Sequence, residues 1–230
     1  METIEIISLT MGVAWASGIN LYAAVLVLGY LGMTGDITLP PGLEVLTNPM
    51  VLAAAGFMYF VEFFVDKTPG VDTGWDLLHT FIRIPAGAVL AAGMAEGLNL
   101  SEAAELAALL VGGSLAATTH ATKTGTRALI NTSPEPFTNW TASITEDIVV
   151  IGGLWASVHY PWLFVAGLVL FILLVIWMLP KIWRALKRIF RAIGEFFSGK
   201  QQEKPVAGNA SGSRRDVLNA LYHDANEKPK

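Results

Sequence analysis

The sequence predicts an all-α membrane protein, a polytopic helical bundle of about six transmembrane helices. Of its 230 residues, 53% are hydrophobic and only 15% are charged, whereas a soluble domain usually carries about 25% charged residues. The mean hydropathy is +0.51, and the apolar residues are gathered in long stretches. Together these observations predict a chain whose solvent is lipid, and a soluble enzyme is not expected.

The composition also excludes several kinds of site. The chain contains no cysteine, so it has no disulfide framework, no thiolate metal site and no cysteine nucleophile. Its net charge is -4 and its pI is about 5.5, which argues against a nucleic-acid partner.

Six apolar stretches are the expected spans, which together form a transmembrane domain over residues 1–180. They cover residues 4–31, 49–65, 75–93, 102–120, 140–157 and 162–179. The first is too long for a signal peptide and has Glu2 and Glu5 where a positive flank would be, so it is expected to be retained. Three spans in each half would also allow two inverted three-helix repeats, the plan of many secondary transporters.

The basic residues predict the orientation of these spans. The loops at residues 32–48, 94–101 and 158–161 contain no Lys or Arg. Because cytoplasmic loops are enriched in basic residues, these loops are expected outside and both termini in the cytoplasm.

The segment after the last span is expected to lie on the membrane surface. Residues 181–198 place Ile182, Leu186, Ile189 and Ile193 on one helical face and Arg184, Lys187, Arg188 and Arg191 on the other. This pattern predicts a basic amphipathic helix bound to anionic lipid head groups, with binding of a partner protein as the alternative. Residues 199–230 are expected to be a flexible cytoplasmic tail with a short helix.

Charged residues inside predicted spans indicate where function lies, because they are costly in lipid. In the segment VEFFVDKTPGVDTGWDLLHTFIR, Glu62 and Asp66 share one helical face. A single polar stripe then runs up the third span through Asp72, Asp76, His79 and Arg83, although Asp72 also suits a helix cap.

A second polar segment reads THATKTGTRALINTSPEPFTNWTASITED. Here His120, Lys123 and Arg127 share a face, and Glu146 and Asp147 sit inside the fifth span. Asn20 interrupts the first span, either as part of a close helix contact or as an unwound segment that lines a site.

These residues make up the predicted substrate- or ion-binding set. It consists of Asn20, Glu62, Asp66, Lys67, Asp72, Asp76, His79, Arg83, His120, Lys123, Arg127, Asn131, Ser133, Glu135, Glu146 and Asp147. The set contains seven acidic side chains but only four Lys and Arg side chains. About three acids must therefore be protonated, hydrated or bound to a cation. The alternative is that Lys123 or Arg127 only pairs with Glu62, Asp66 or Glu146 to lock helices together.

The two polar segments, together with SGINLYA in the first span, resemble a bacterial membrane-protein family known as a domain of unknown function, four-one-two-six. The resemblance covers residues 5 to 175 and includes the motifs VDKTPGVDTGWDLLHTFIR and HATKTGTRALINTSPEP. It implies a multi-pass protein of the bacterial inner membrane, but it implies no substrate and no reaction.

The function predicted from these observations is a small secondary transporter or flippase, coupled to protons or a cation, for a small polar or anionic substrate. One alternative is a membrane-embedded enzyme acting on a lipid or phosphate ester, with a divalent cation at Asp72 and Asp76. A cation channel is the other alternative. No catalytic residue and no other cofactor is assigned, and an enzyme is the less expected outcome.

Overall fold

A computed structural model describes residues 2–68, 70–98, 101–132 and 136–197, together with Leu218, Asn219 and Tyr222. This part of the chain is helical and contains no strand, so the all-α prediction is confirmed. Its long helices are α1 (Thr3–Thr34), α2 (Pro49–Val65), α3 (Val71–Ala95), α4 (Glu102–Ile130), α5 (Pro136–His159) and α6 (Pro161–Phe197). Short 3₁₀ helices at Pro41–Thr47 and Glu96–Leu98 precede α2 and follow α3.

Several of these helices are suited to a membrane. In the described residues, 4 helices are long and apolar enough to cross one: Thr3–Thr34, Val71–Leu98, Phe137–His159 and Pro161–Ala185. A fifth candidate joins Pro41–Thr47 to Pro49–Val65 across a bend of 68°. Small and polar residues such as Ser114, Thr118 and His120 lower the hydropathy of α4. The number of spans therefore stays a prediction.

Helix α1 lies at the centre of the bundle and packs against α2, α3, α4 and α5. Its apolar side chains, including Leu9, Val13 and Leu28, form much of the core and are almost fully buried. Trp15 is buried too, with its ring edge-on to Phe164 and Phe171 of α6. The helix that carries Asn20 is therefore surrounded by protein.

Small residues let α1, α3 and α4 approach closely, as they do between many membrane helices. Gly18 faces Thr119 and the backbone of Ala116, with no room for a side chain. A Cβ on Gly87 would lie 2.5 Å from the Cβ of Ala116 and 2.9 Å from the Oγ of Ser17. This junction fixes the spacing of the three helices beside the polar residues.

Two helices run beyond the ends of the predicted spans. The fourth span was predicted to end at residue 120, but α4 continues to Ile130, because its polar stripe faces the protein interior and stays helical there. Helix α6 continues through Pro180 to Phe197, and Ile182 beyond the proline is buried against Gly125. The two inverted repeats stay a prediction. In such repeats α4 would correspond to α1, but the backbone break found in α1 has no counterpart in α4.

Residues 1–187 form one compact unit, and the described residues from Arg188 onward belong to a second. Within it, Leu218, Asn219 and Tyr222 are helical and exposed. The rest of the predicted tail at residues 199–230 lies outside the described residues, as do Ser133 and Glu135 of the predicted site.

Candidate functional site

Seven ionisable side chains from four helices meet inside the protein, at the end of the bundle where α2 leads into α3 and α4 into α5. We name them the charge cluster: Glu62, Asp66, Asp76, Arg83, Lys123, Arg127 and Glu146. The side chains of Glu62, Asp76, Arg83 and Arg127 are each 0% exposed. The structure thus brings together the two polar segments that the sequence singled out.

Arg83 joins the stripe of α3 to α2. Its Nη2 bonds to Oε1 of Glu62, and its Nη1 lies 2.7 Å from Oδ1 of Asp76. One guanidinium therefore serves two buried carboxylates, which is the fork geometry that favours Arg over Lys at such positions.

Lys123 occupies the middle of the cluster. Its Nζ donates to Oδ2 of Asp66 at 2.8 Å and to Oε1 of Glu62 at 3.3 Å. The same nitrogen donates to the backbone carbonyl of Ile19 at 3.1 Å. Lys123 thereby connects the acids of α2 to the backbone of α1.

Arg127 holds α5 against the cluster. Its Nε and Nη2 bond to the two carboxylate oxygens of Glu146 at 3.1 and 2.7 Å, and its Nη1 donates to the carbonyl of Asp66 at 2.8 Å. A bidentate pair of this kind is among the stronger charge-assisted interactions.

Asn20 is the point where α1 loses its helical backbone, with φ -145° and ψ 95°. Its Oδ1 accepts from the amide of Ala23 at 3.0 Å, the donor that would otherwise reach the carbonyl of Ile19. That freed carbonyl accepts from Lys123. The segment therefore combines a close helix contact at Gly18 with a break of the helix at Asn20 beside the cluster. That the break lines a binding site stays a prediction.

Asp147 is linked to this break. Its Oδ1 accepts from Nδ2 of Asn20 at 3.2 Å. Unlike Glu146, its sequence neighbour, it is not within 4.0 Å of a Lys or Arg nitrogen in the described residues.

The two histidines of the predicted site, His79 and His120, flank the cluster on α3 and α4. Nδ1 of His79 lies 2.9 Å from the carbonyl of Trp75, so it carries the proton, and Nε2 accepts from the hydroxyl of Tyr22 at 3.0 Å. Nε2 of His120 lies 2.7 Å from Oγ1 of Thr80. Hydroxyl groups thus connect both rings to neighbouring helices.

Asp72 lies at the start of α3 and takes partners of its own. Its Oδ1 accepts from the amide of Gly70 at 2.9 Å and from Nδ2 of Asn131, also at 2.9 Å. Asn139 in turn donates to Asn131. Asp76 instead faces Arg83, so the two aspartates of the expected cation site bond to different groups.

The described residues contain no group of three or more His, Asp or Glu side chains arranged to hold a metal ion. The divalent cation at Asp72 and Asp76 stays a prediction.

Lys67 lies just beyond α2 and is turned inward. Its Nζ donates to Oγ of Ser143 at 3.2 Å and to the carbonyl of Phe63 at 3.0 Å, and it sits 2.9 Å from the centre of the Phe63 ring. Burial lowers the pKa of the Lys67 ammonium from its usual value.

Four carboxylates near the break each leave one buried oxygen without a hydrogen-bond partner in the described residues. These oxygens are Oε2 of Glu62, Oδ1 of Asp66, Oδ2 of Asp76 and Oδ2 of Asp147. An unsatisfied buried acceptor costs about 1–3 kcal/mol. Such oxygens are places where a proton or a hydrogen-bond donor would be stabilised.

Three polar residues of the site were missed by sequence reasoning: Tyr22, Asn139 and Ser143. Asn139 and Ser143 are each 1% exposed. With Glu146 they are spaced at i, i+4 and i+7 along α5, which is a polar stripe that the same spacing argument would have found.

The fold and the cluster define a class of protein: a bundle of apolar helices, compatible with a membrane protein, that encloses a buried ion-pair network. The chain belongs to the family described as "Domain of unknown function (DUF4126)", which matches residues 7–181. The whole charge cluster lies inside the matched region. Comparison with curated proteins and with solved structures gives no match.

Proposed function

We propose that the protein is a membrane transporter or flippase, coupled to protons or another cation, whose polar substrate binds where α1 unwinds beside the charge cluster. The observation that carries the proposal is the break at Asn20, whose freed Ile19 carbonyl accepts from Lys123. Transporters commonly place substrate and coupling ions at unwound helix segments near the middle of the membrane.

Proton coupling is supported by the balance of charge. The cluster contains four acids and three bases, and three of those acids have an unpartnered oxygen. Buried acids that are not fully paired can take up and release protons as their surroundings change.

The same contacts refine the expected substrate. Lys123 and Arg127 are bases that could hold an anionic group, but Asp66 and Glu146 already bond to them. We therefore favour a polar substrate with hydrogen-bond donors over a simple anion.

The proposed setting is the bacterial inner membrane, crossed six times, with both termini in the cytoplasm. In support of surface binding by the basic helix, Arg184, Lys187, Arg188 and Arg191 are exposed. Basic side chains on one face of such a helix attract anionic lipid head groups.

The proposal is tested by proton flux in vesicles that contain the purified protein and a pH-sensitive dye. A panel of small polar solutes, amines and organic anions is added from outside, and proton movement is recorded. We expect at least one solute class to drive proton movement, and we expect Asp76→Asn and Lys123→Ala to reduce it at least tenfold.

Glu102→Gln is the matched control, because Glu102 is an exposed acid at the start of α4, outside the cluster. It is expected to leave the flux unchanged. Flux that survives both cluster substitutions in folded protein would show that the site is wrongly assigned.

A further inference from the structure

An apolar groove separates α2 from α5 on the outside of the bundle. One cavity of about 460 Å³ lies between Leu52 and Trp155, and a second of about 480 Å³ lies between Tyr59 and Asp147. Ile151 lines both cavities, so they adjoin along α5, and together they are named the groove. Its lining on α5 runs from residue 144 to residue 155, or about 16 Å at a rise of about 1.5 Å per residue.

The groove is open along its length. A side chain added at Gly152 of α5 would meet nothing within 4 Å, and one at Gly56 of α2 would meet only Leu26, at 3.8 Å. The side chains of Ile151 and Trp155 are 46% and 50% exposed. An apolar opening of this kind suits an occupant that arrives from the hydrocarbon of a bilayer.

One end of the groove is acidic. Asp147 lines it there, and its Oδ2 is buried without a partner. Lys67, the base beyond α2, donates to Ser143 and to the Phe63 carbonyl. An apolar channel that ends at a carboxylate with one unpartnered oxygen matches a hydrocarbon chain with a positively charged, hydrogen-donating head.

The acidic end also leads to the site. Oδ1 of Asp147 accepts from Asn20, the residue at which α1 unwinds. A head group that reached Asp147 would therefore stand beside the break and the charge cluster.

We propose that this groove admits a membrane-resident amphiphile with an ammonium head group, its chain lying between α2 and α5 and its head at Asp147. The inference rests on the proposed function, since it names the class of substrate that reaches the same site. It also accounts for a charge cluster whose side chains are mostly buried in this structure, because the substrate approaches from the side.

The chain position is tested with the full-length protein in phosphatidylcholine nanodiscs. The probe is dodecylammonium with a nitroxide on its chain, and the signal is the quenching of tryptophan fluorescence by the nitroxide. The quenching that is lost in Trp155→Phe is the quenching of the tryptophan in the groove. We expect saturable quenching of Trp155 that is weakened at least tenfold in affinity by Gly152→Leu.

Gly167→Leu on α6 is the matched control, because Gly167, like Gly152, is exposed and has open space around it. It is expected to leave the affinity unchanged. Equal binding by the Gly152→Leu and native proteins would overturn the groove assignment.

The head group is tested by comparing dodecylammonium with dodecyl sulfate and dodecyl maltoside. Asp147→Asn is expected to weaken alkylammonium binding about tenfold, as loss of a charge-assisted hydrogen bond would, and to leave the maltoside unaffected. Sulfate binding as tight as ammonium binding would overturn the proposal.

The experiments distinguish failure of the groove proposal from failure of the transporter proposal. Alkylammonium binding without any proton flux would retain the groove site and reject transport. Proton flux without alkylammonium binding would retain transport and reject this substrate class.

Discussion

Arg83 has no exposed surface, yet it bonds to carboxylates from two helices. A buried ion pair of this kind contributes little net stability, because desolvation of both charges offsets their attraction. Apolar residues would hold α2 and α3 together at lower cost. An ion-pair network at this place is therefore consistent with the proposed binding site.

Removal of Arg83 should nevertheless be costly, because Glu62 and Asp76 would lose their shared partner. Arg83→Ala is expected to lower the free energy of unfolding by about 3–5 kcal/mol, measured by denaturant titration of helicity in detergent. Arg184→Ala is the control, since Arg184 is exposed and, among the described residues, bonds only to the carbonyl of Pro180. A loss below about 1 kcal/mol for Arg83→Ala would mean that water solvates the two carboxylates.

The spacing of charges predicts which residues share a helix face, and the cluster contains most of the residues so predicted. The spacing does not determine which partner each side chain bonds to, because the partner depends on how far one helix is shifted along its neighbour. Lys123 illustrates the difference. The sequence gives its possible acidic partners, but its bond to the Ile19 carbonyl exists only because α1 breaks at Asn20.

At the scale of helices, the contact of α1 with α4 depends on a residue without a side chain. The Cβ of any larger residue at position 18 would collide with the Ala116 carbonyl, which is part of the α4 backbone. Gly18→Ala is expected to destabilise the protein by about 1–3 kcal/mol through overpacking.

Gly74→Ala on α3 is the matched control for this substitution, because nothing lies within 4 Å of its added methyl. It is expected to be neutral or to stabilise by up to about 1 kcal/mol through helix propensity. Thermal unfolding in one detergent compares the two. Equal melting temperatures would mean that the α1 and α4 contact is loose.

Helix ends were the least predictable elements. The hydropathy of the fourth span falls at His120, but the polar residues after it are buried and α4 continues. The last span was predicted over residues 162–179 and the basic helix over residues 181–198, yet one helix, α6, covers both, with Pro180 inside it. A proline removes one backbone hydrogen bond, and the bonds on either side keep such a helix continuous.

For the whole molecule, six spans require that α4 crosses the membrane. The natural chain has no cysteine, so single cysteines report position without background. Ser101→Cys before α4 and Thr132→Cys after it are both at exposed positions. We expect an impermeant maleimide to label them from opposite sides of sealed vesicles, and labelling from the same side would contradict six spans.

Access to the charge cluster from both sides of the membrane is the central claim for the whole molecule, and two buried serines of α5 test it most directly. Ser143 lies beside Lys67 near the cluster and is 1% exposed, whereas Ser157 is 0% exposed far along the same helix. The experiment compares right-side-out with inside-out vesicles. If the protein is a transporter, Ser143→Cys reacts with an impermeant maleimide from both sides of the membrane, and the fraction labelled from each side shifts with an imposed pH gradient. Ser157→Cys should stay unlabelled. Reaction of Ser143→Cys from one side only, unchanged by the gradient, would contradict the account.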